Sequence, residues 1–165
     1  TKVSHRTVSA YADLLSIPAM EKVMMEAMQE AEKPEYTEED YAYAAQFAAD
    51  ENSPSIDTDI LPADQTINLG STDVGDVSWQ VPTGLIGVAT EATGCALHTW
   101  QIVAQGKSPL AHKGMHYAAR ILFAAAKKLY ESPERCALIQ DDYQHVIGHR
   151  TYQSMLPDSV KPGDF

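Results

Sequence analysis

Ser108 followed directly by Pro109 constrains the fold more than any other dipeptide in the sequence. Serine offers a side-chain oxygen to an unpaired helical N–H, and proline suits the first helical position because its φ is fixed and its missing N–H would have had no partner there. Met115, Ala118, Leu122, Ala125 and Leu129 then recur at alternating spacings of three and four, which predicts a helix over 109–130 with that stripe against a core. Ser132-Pro133 repeats the start and predicts a last helix to about His149. The tail from Pro157, with Pro162 and Gly163, reads as irregular.

Upstream, Pro18 opens a pattern of Met20, Val23, Met24, Ala27 and Met28 at helical spacing, ending before Pro34. Methionines fill irregular gaps, so the stripe reads as core rather than as a binding face. Thr37 with Asp40 three residues later resembles a capping box, and Glu38, Glu39 and Asp40 sit where a helix dipole favours negative charge. That predicts a helix to about Asp50, followed by a loop over 52–69. Three segments read as strands: 3–12 from its β-branched residues, 84–90 (GLIGVAT) from its short, nearly continuous apolar run, and 96–103 after a turn at Thr93-Gly94.

The chain has 165 residues, 12 basic against 23 acidic side chains and a formal charge of −11. Its length suits one domain, able to bury roughly two thirds of the surface that the unfolded chain exposes. Residues 1–65 carry four basic and fourteen acidic side chains, whereas residues 66–165 carry eight and nine. The acidity therefore belongs to the first segment, as solvated helix surface. Without a stripe of Lys and Arg, neither a nucleic-acid backbone nor an anionic membrane is an expected partner. No apolar run approaches the roughly 18–20 residues of a membrane span. Cys95 and Cys136 are too far apart for a C-x-x-C pair, which fits buried, reduced thiols and a cytoplasmic location. Position 1 is Thr rather than Met, which points to a piece of something longer or to a processed product.

Candidate chemistry centres on the histidines. His112/His116 and His145/His149 each have the four-residue spacing that can meet a metal from one helix face. The metalloprotease form needs Glu after the first His; here Lys113 and Val146 follow, so the ordinary reading is exposed helical histidine. His98 lies between an apolar run and Trp100, at an expected strand end, where α/β sheets gather ligands; a hydrogen-bonded core histidine is the alternative. Gly70 and Gly75 flank Ser71, Thr72, Asp73 and Asp76, a composition that lets backbone approach an anion such as a carboxylate or that simply makes a turn.

Three blocks, Gly70-Ser71-Thr72-Asp73-Val74-Gly75-Asp76-Val77-Ser78-Trp79, His98-Thr99-Trp100-Gln101-Ile102-Val103-Ala104-Gln105-Gly106-Lys107 and Ala111-His112-Lys113-Gly114-Met115, taken in order, resemble the C-terminal part of M20-family metallopeptidases. Within that family the match is to the amidohydrolases that act on aminobenzoyl-glutamate, and the Thr37-Glu38-Glu39 helix start has a counterpart there. The resemblance implies an α/β fold: the C-terminal portion of a three-layer α/β/α catalytic domain with a mixed sheet. Residues 1–165 would form one incomplete domain without the lid or dimerisation domain of such enzymes.

The resemblance further implies hydrolysis of an amide bond to a carboxylate-bearing group, such as p-aminobenzoyl-glutamate. Two divalent metals, zinc or manganese, are held in such enzymes by His, Asp and Glu, with a separate Glu as base. His98 matches the last metal ligand. Ser71 and Thr72, with Asp73 beside them, match the substrate pocket, while Asp73 and Asp76 are expected to orient that segment rather than bind metal. The chain lacks the upstream Gly-His-Asp and Glu-Glu motifs, and Glu38-Glu39 is no substitute. The remaining ligands and the base are therefore expected upstream, in a homodimeric or hetero-oligomeric parent. One imidazole cannot hold a catalytic zinc, which takes three protein ligands plus water, so the isolated chain is expected to be inactive. The rival reading is a small acidic α/β binding or interaction domain with His98 in its core and its acidic helices facing a partner.

Overall fold

The computed structural model describes residues 1–49, 52–62 and 70–161. Its regular elements are α1 (Pro18–Glu30), α2 (Glu38–Ala45), α3 (Val74–Ser78), α4 (Trp100–Gln105), α5 (Pro109–Tyr130) and α6 (Pro133–Ile147). Among the described residues there is no strand, which overturns the expected α/β fold with its mixed sheet. Residues 3–12 and 84–90 form no regular element and join no ladder, and the second half of the expected strand at 96–103 lies in α4, with Thr99 at its N-cap position. The apolar run at 84–90 is not covered on both faces either, since Leu85 is exposed. A strand needs a neighbouring edge to take its N–H and C=O groups, and apolar composition alone does not supply one.

The chain divides into two compact units. The first comprises Thr1–Glu21, Gln65–Gly84 and Pro133–Phe165, the second Lys22–Asp64 and Leu85–Ser132. In the first, Leu15, Ile17, Ser78, Ile139 and Tyr143 are buried. The Asp142 carboxylate of α6 accepts the Ala19 N–H at 2.8 Å, so the N-terminus of α1 ends on a negative charge, as its dipole favours.

In the second unit α5 begins as its sequence dictates. Ser108 Oγ accepts the Ala111 N–H at 3.1 Å with Pro109 in the first turn, and Lys127 and Lys128 occupy the last, where cations suit the dipole. Its buried face is Leu110, Ala111, Gly114, Tyr117, Ile121 and Ala125, which shares only Ala125 with the expected stripe: Met115 is 54% and Leu122 51% exposed. The helix carries two apolar stripes side by side, and contacts made elsewhere choose between them. The Tyr117 hydroxyl donates to the Met28 carbonyl at 3.1 Å. A Cβ on Gly114 would stand 2.1 Å from the Ala89 carbonyl oxygen, so glycine is what lets the segment around Ala89 lie on the helix. Val23, Met24 and Ala27 of α1 are buried, as a core stripe should be. Ala44, Ile56, Ala92 and Leu110 form a core cluster flanked by Tyr36, Phe47, Ala48 and Ala89. No described helix is long and apolar enough to cross a membrane. Neither cysteine forms a disulfide, and Cys136 is exposed rather than buried.

Candidate functional site

The predicted site residues fall in different units: Ser71, Thr72 and Asp73 in the first, His98 in the second. The two groups are therefore described separately.

In the Gly70–Trp79 block, Thr72 Oγ1 accepts the Val74 N–H at 3.3 Å and the Thr72 carbonyl accepts the Gly75 N–H at 3.2 Å, which turns the chain into α3. Ser71 and Asp73 are exposed, and Asp73 makes no side-chain cap on α3. The rest of the block grips residues 12–15. Asp76 Oδ1 accepts the Ala12 N–H at 2.9 Å, buried Ser78 Oγ accepts the Leu15 N–H at 2.9 Å, and Trp79 Nε1 donates to the Asp13 carbonyl at 2.9 Å. A Cβ on Gly75 would lie 1.9 Å from the Ala12 carbonyl oxygen. Gly75 thus admits the protein's own backbone rather than a ligand, and Asp76 orients the segment. Loss of water contact and the neighbouring Asp76 carboxylate push the Tyr152 phenol up, and Arg150 stacks over the Trp79 ring with its guanidinium carbon 4.8 Å from the centroid.

His98 sits on a turn between Ala92 and α4. The turn begins at Thr93-Gly94, where Gly94 has φ +73° and the Thr93 N–H donates to the Ser55 carbonyl at 3.0 Å. His98 itself has φ +60°, the one positive φ among described non-glycine residues, and is exposed. The expected buried strand end is therefore an exposed left-handed turn. Beside it, Trp100 is 70% exposed and lies edge-on to Phe47 at 6.3 Å between ring centroids. Gln105, at the end of α4, is fully buried. Its Oε1 accepts the Ala92 N–H at 2.7 Å, and its Nε2 donates to the Gln101 carbonyl at 3.1 Å and towards Cys95 Sγ at 3.5 Å.

The third block does structural work. Lys113 pairs with Asp40, the buried N3 residue of the Thr37 capping box, and its Nζ stands 5.7 Å from the centroid of the Tyr36 ring. Asp40 Oδ2 also accepts the Thr37 N–H at 2.7 Å and the Thr37 hydroxyl at 3.0 Å. Burial pushes the Asp40 carboxyl up, but the Lys113 ammonium and the two Thr37 donors outweigh it and hold the group below the usual carboxylate range. His112, His116 and His145 are exposed on their helices, and His149 is exposed in the turn after α6.

A zinc or manganese ion of the expected kind needs several protein donors. Among the described residues no three His, Cys, Asp or Glu side chains are placed to hold a metal. His98 offers one imidazole, so the donors among the described residues do not make a complete site. Sequence reasoning singled out neither Gln105 nor the Lys113–Asp40 pair. A lone glutamine between Ala104 and Gly106 was the only local signal for the first, and the second joins residues 73 apart in sequence.

No family model and no solved structure matches the chain. Among curated proteins it is similar to a subunit of p-aminobenzoyl-glutamate hydrolase from Escherichia coli (strain K12), with 29% identity over 191 residues that cover 98% of this chain. The chain is a distant relative of that protein and spans about 40% of its length.

Proposed function

We propose that the chain is a portion of a metal-dependent amidohydrolase of the M20 type that cleaves an amide bond to a carboxylate-bearing group, with p-aminobenzoyl-glutamate as the leading substrate. The similarity to a named hydrolase over 98% of the chain carries this reading. His98 would supply one metal-binding imidazole. Ser71 and Thr72 would offer hydroxyl donors to the substrate carboxylate, with Asp73 setting the edge of that pocket. Thr72 Oγ1 already accepts from the Val74 N–H, which leaves its proton to donate outward. The other metal donors and the general-base Glu would come from the longer protein, and the relative's being named as one subunit of its enzyme favours assembly with a second kind of chain. A divalent metal, zinc or manganese, polarises an amide carbonyl and brings the pKa of water towards about 7.

The test is an assay of p-aminobenzoate release from p-aminobenzoyl-glutamate by the longer protein and by this chain alone, each after chelation and after restoring zinc or manganese. Metal-dependent release by the longer protein only is the expected result. Equal release by the isolated chain, or none by the longer protein with either metal, would overturn the reading.

A further inference from the structure

Two side chains hold the turn that carries His98: Thr99 Oγ1 donates to the Ala96 carbonyl at 2.7 Å across it, and Gln105 bonds to it from inside. Gln105 is 0% exposed, and burying an amide is unfavourable unless its polar atoms are bonded. Leu or Met would fill the same space without that requirement, so the amide itself is what the position uses. Its three contacts are spread along the turn: the Ala92 N–H enters Oε1 at the start, Cys95 Sγ lies near Nε2 before His98, and the Gln101 carbonyl accepts from Nε2 after it. Between those points His98 adopts φ +60°. A non-glycine residue keeps that conformation only where its surroundings over-determine it. The Thr99 bond spans only residues 96–99 and is exposed, whereas Gln105 ties Ala92 to Gln101 from the buried side.

We propose that Gln105 is a positioning residue: it locks the 92–101 turn so that the His98 imidazole is presented in one orientation. The functional value of that contact rests on the reading of His98 as a metal ligand. The geometric statement does not. Orientation matters because a metal accepts a donor only along a narrow set of directions, and a ligand on a loop that samples several conformations binds more weakly by the fraction of time spent misplaced.

The experiment is NMR on the isotopically labelled protein with Gln105→Met, which keeps the volume and removes all three bonds. The His98 Cα, Cβ and N–H signals are expected to leave the left-handed range, and exchange of the Ala92 amide to accelerate on the order of tenfold or more, as expected when a buried donor loses its acceptor. Tyr117→Phe, which removes a partly buried bond elsewhere, should leave both signals in place. This control separates positioning from general loosening. His98 signals that stay put in Q105M, with unchanged Ala92 exchange, would overturn the proposal. Should Q105M fail to fold, the wild-type protein decides: slow exchange of the Gln105 side-chain amide protons supports the lock, and rapid exchange contradicts it. In the longer protein, His98→Ala with unchanged metal content would remove the site reading, whereas an unmoved His98 in Q105M removes the positioning alone.

Discussion

Replacing Asp40 by Asn removes one negative charge and almost nothing of the side chain's size, so its effect isolates the electrostatic part of the joint between α2 and α5. The carboxylate accepts from the Thr37 N–H, the Thr37 hydroxyl and Lys113 while only 5% exposed. A hydrogen bond to a charged group contributes about 1.5–3 kcal/mol, and stripping one partner from a buried pair costs about 3–5 kcal/mol. Two features lower the figure here: Lys113 keeps 30% of its side chain in water, and the Asn oxygen can still accept the Thr37 N–H. The expected loss is therefore about 2–3 kcal/mol, or a fall in melting temperature on the order of 4–12 °C for a chain of this length.

The pH dependence has a definite sign. Because the folded carboxyl titrates below its unfolded value of 3.8, its contribution is fully present above that value and disappears as pH falls through the lower folded value. The stability gap between wild type and D40N should be constant from neutral pH down to about 5 and close at more acid pH. Urea unfolding followed by circular dichroism at several pH values measures this. A variant within about 0.5 kcal/mol of wild type at pH 7, the scatter of ordinary surface substitutions, or a gap that persists in acid, would refute the reasoning.

Gly75→Ala would set a Cβ against the Ala12 carbonyl, where neighbouring backbone must move, so a loss of at least about 1–3 kcal/mol and faster proteolysis within residues 1–21 are expected. Ser108→Ala should cost about 1 kcal/mol, read as a lower urea midpoint at unchanged m-value, because the Ala111 N–H loses its acceptor. Thr93 Oγ1 is buried with no hydrogen-bond partner among the described residues, so Thr93→Val should raise stability by about 1 kcal/mol, visible as a higher melting temperature.

Features decided by local chemistry were legible in the sequence. Ser108-Pro109 and Ser132-Pro133 start helices where expected, α5 ends at Tyr130 as its periodicity requires, and Thr37 with Asp40 forms the capping box. Features decided by partners were not. GLIGVAT has the composition of a strand, but its place is set by Gly114 against Ala89, and no sheet edge meets it among the described residues. The buried face of α5 was misassigned because Met115 and Leu122 make as good an apolar stripe as Tyr117 and Ile121, and only the bond from Tyr117 to Met28 and the glycine contact distinguish them. The residues of the candidate site were named from motif resemblance. What the structure adds is their setting: an exposed left-handed turn at His98, a buried glutamine behind it, and an Asp76 that grips Ala12.

The central claim, that His98 is a metal-binding residue of an amidohydrolase, is tested most directly by the metal content of the longer protein after His98→Ala, measured by elemental analysis of folded, purified protein. The account predicts loss of bound zinc or manganese together with p-aminobenzoyl-glutamate hydrolysis, at an unchanged circular dichroism spectrum. A folded H98A protein that keeps its full metal content and activity would contradict it.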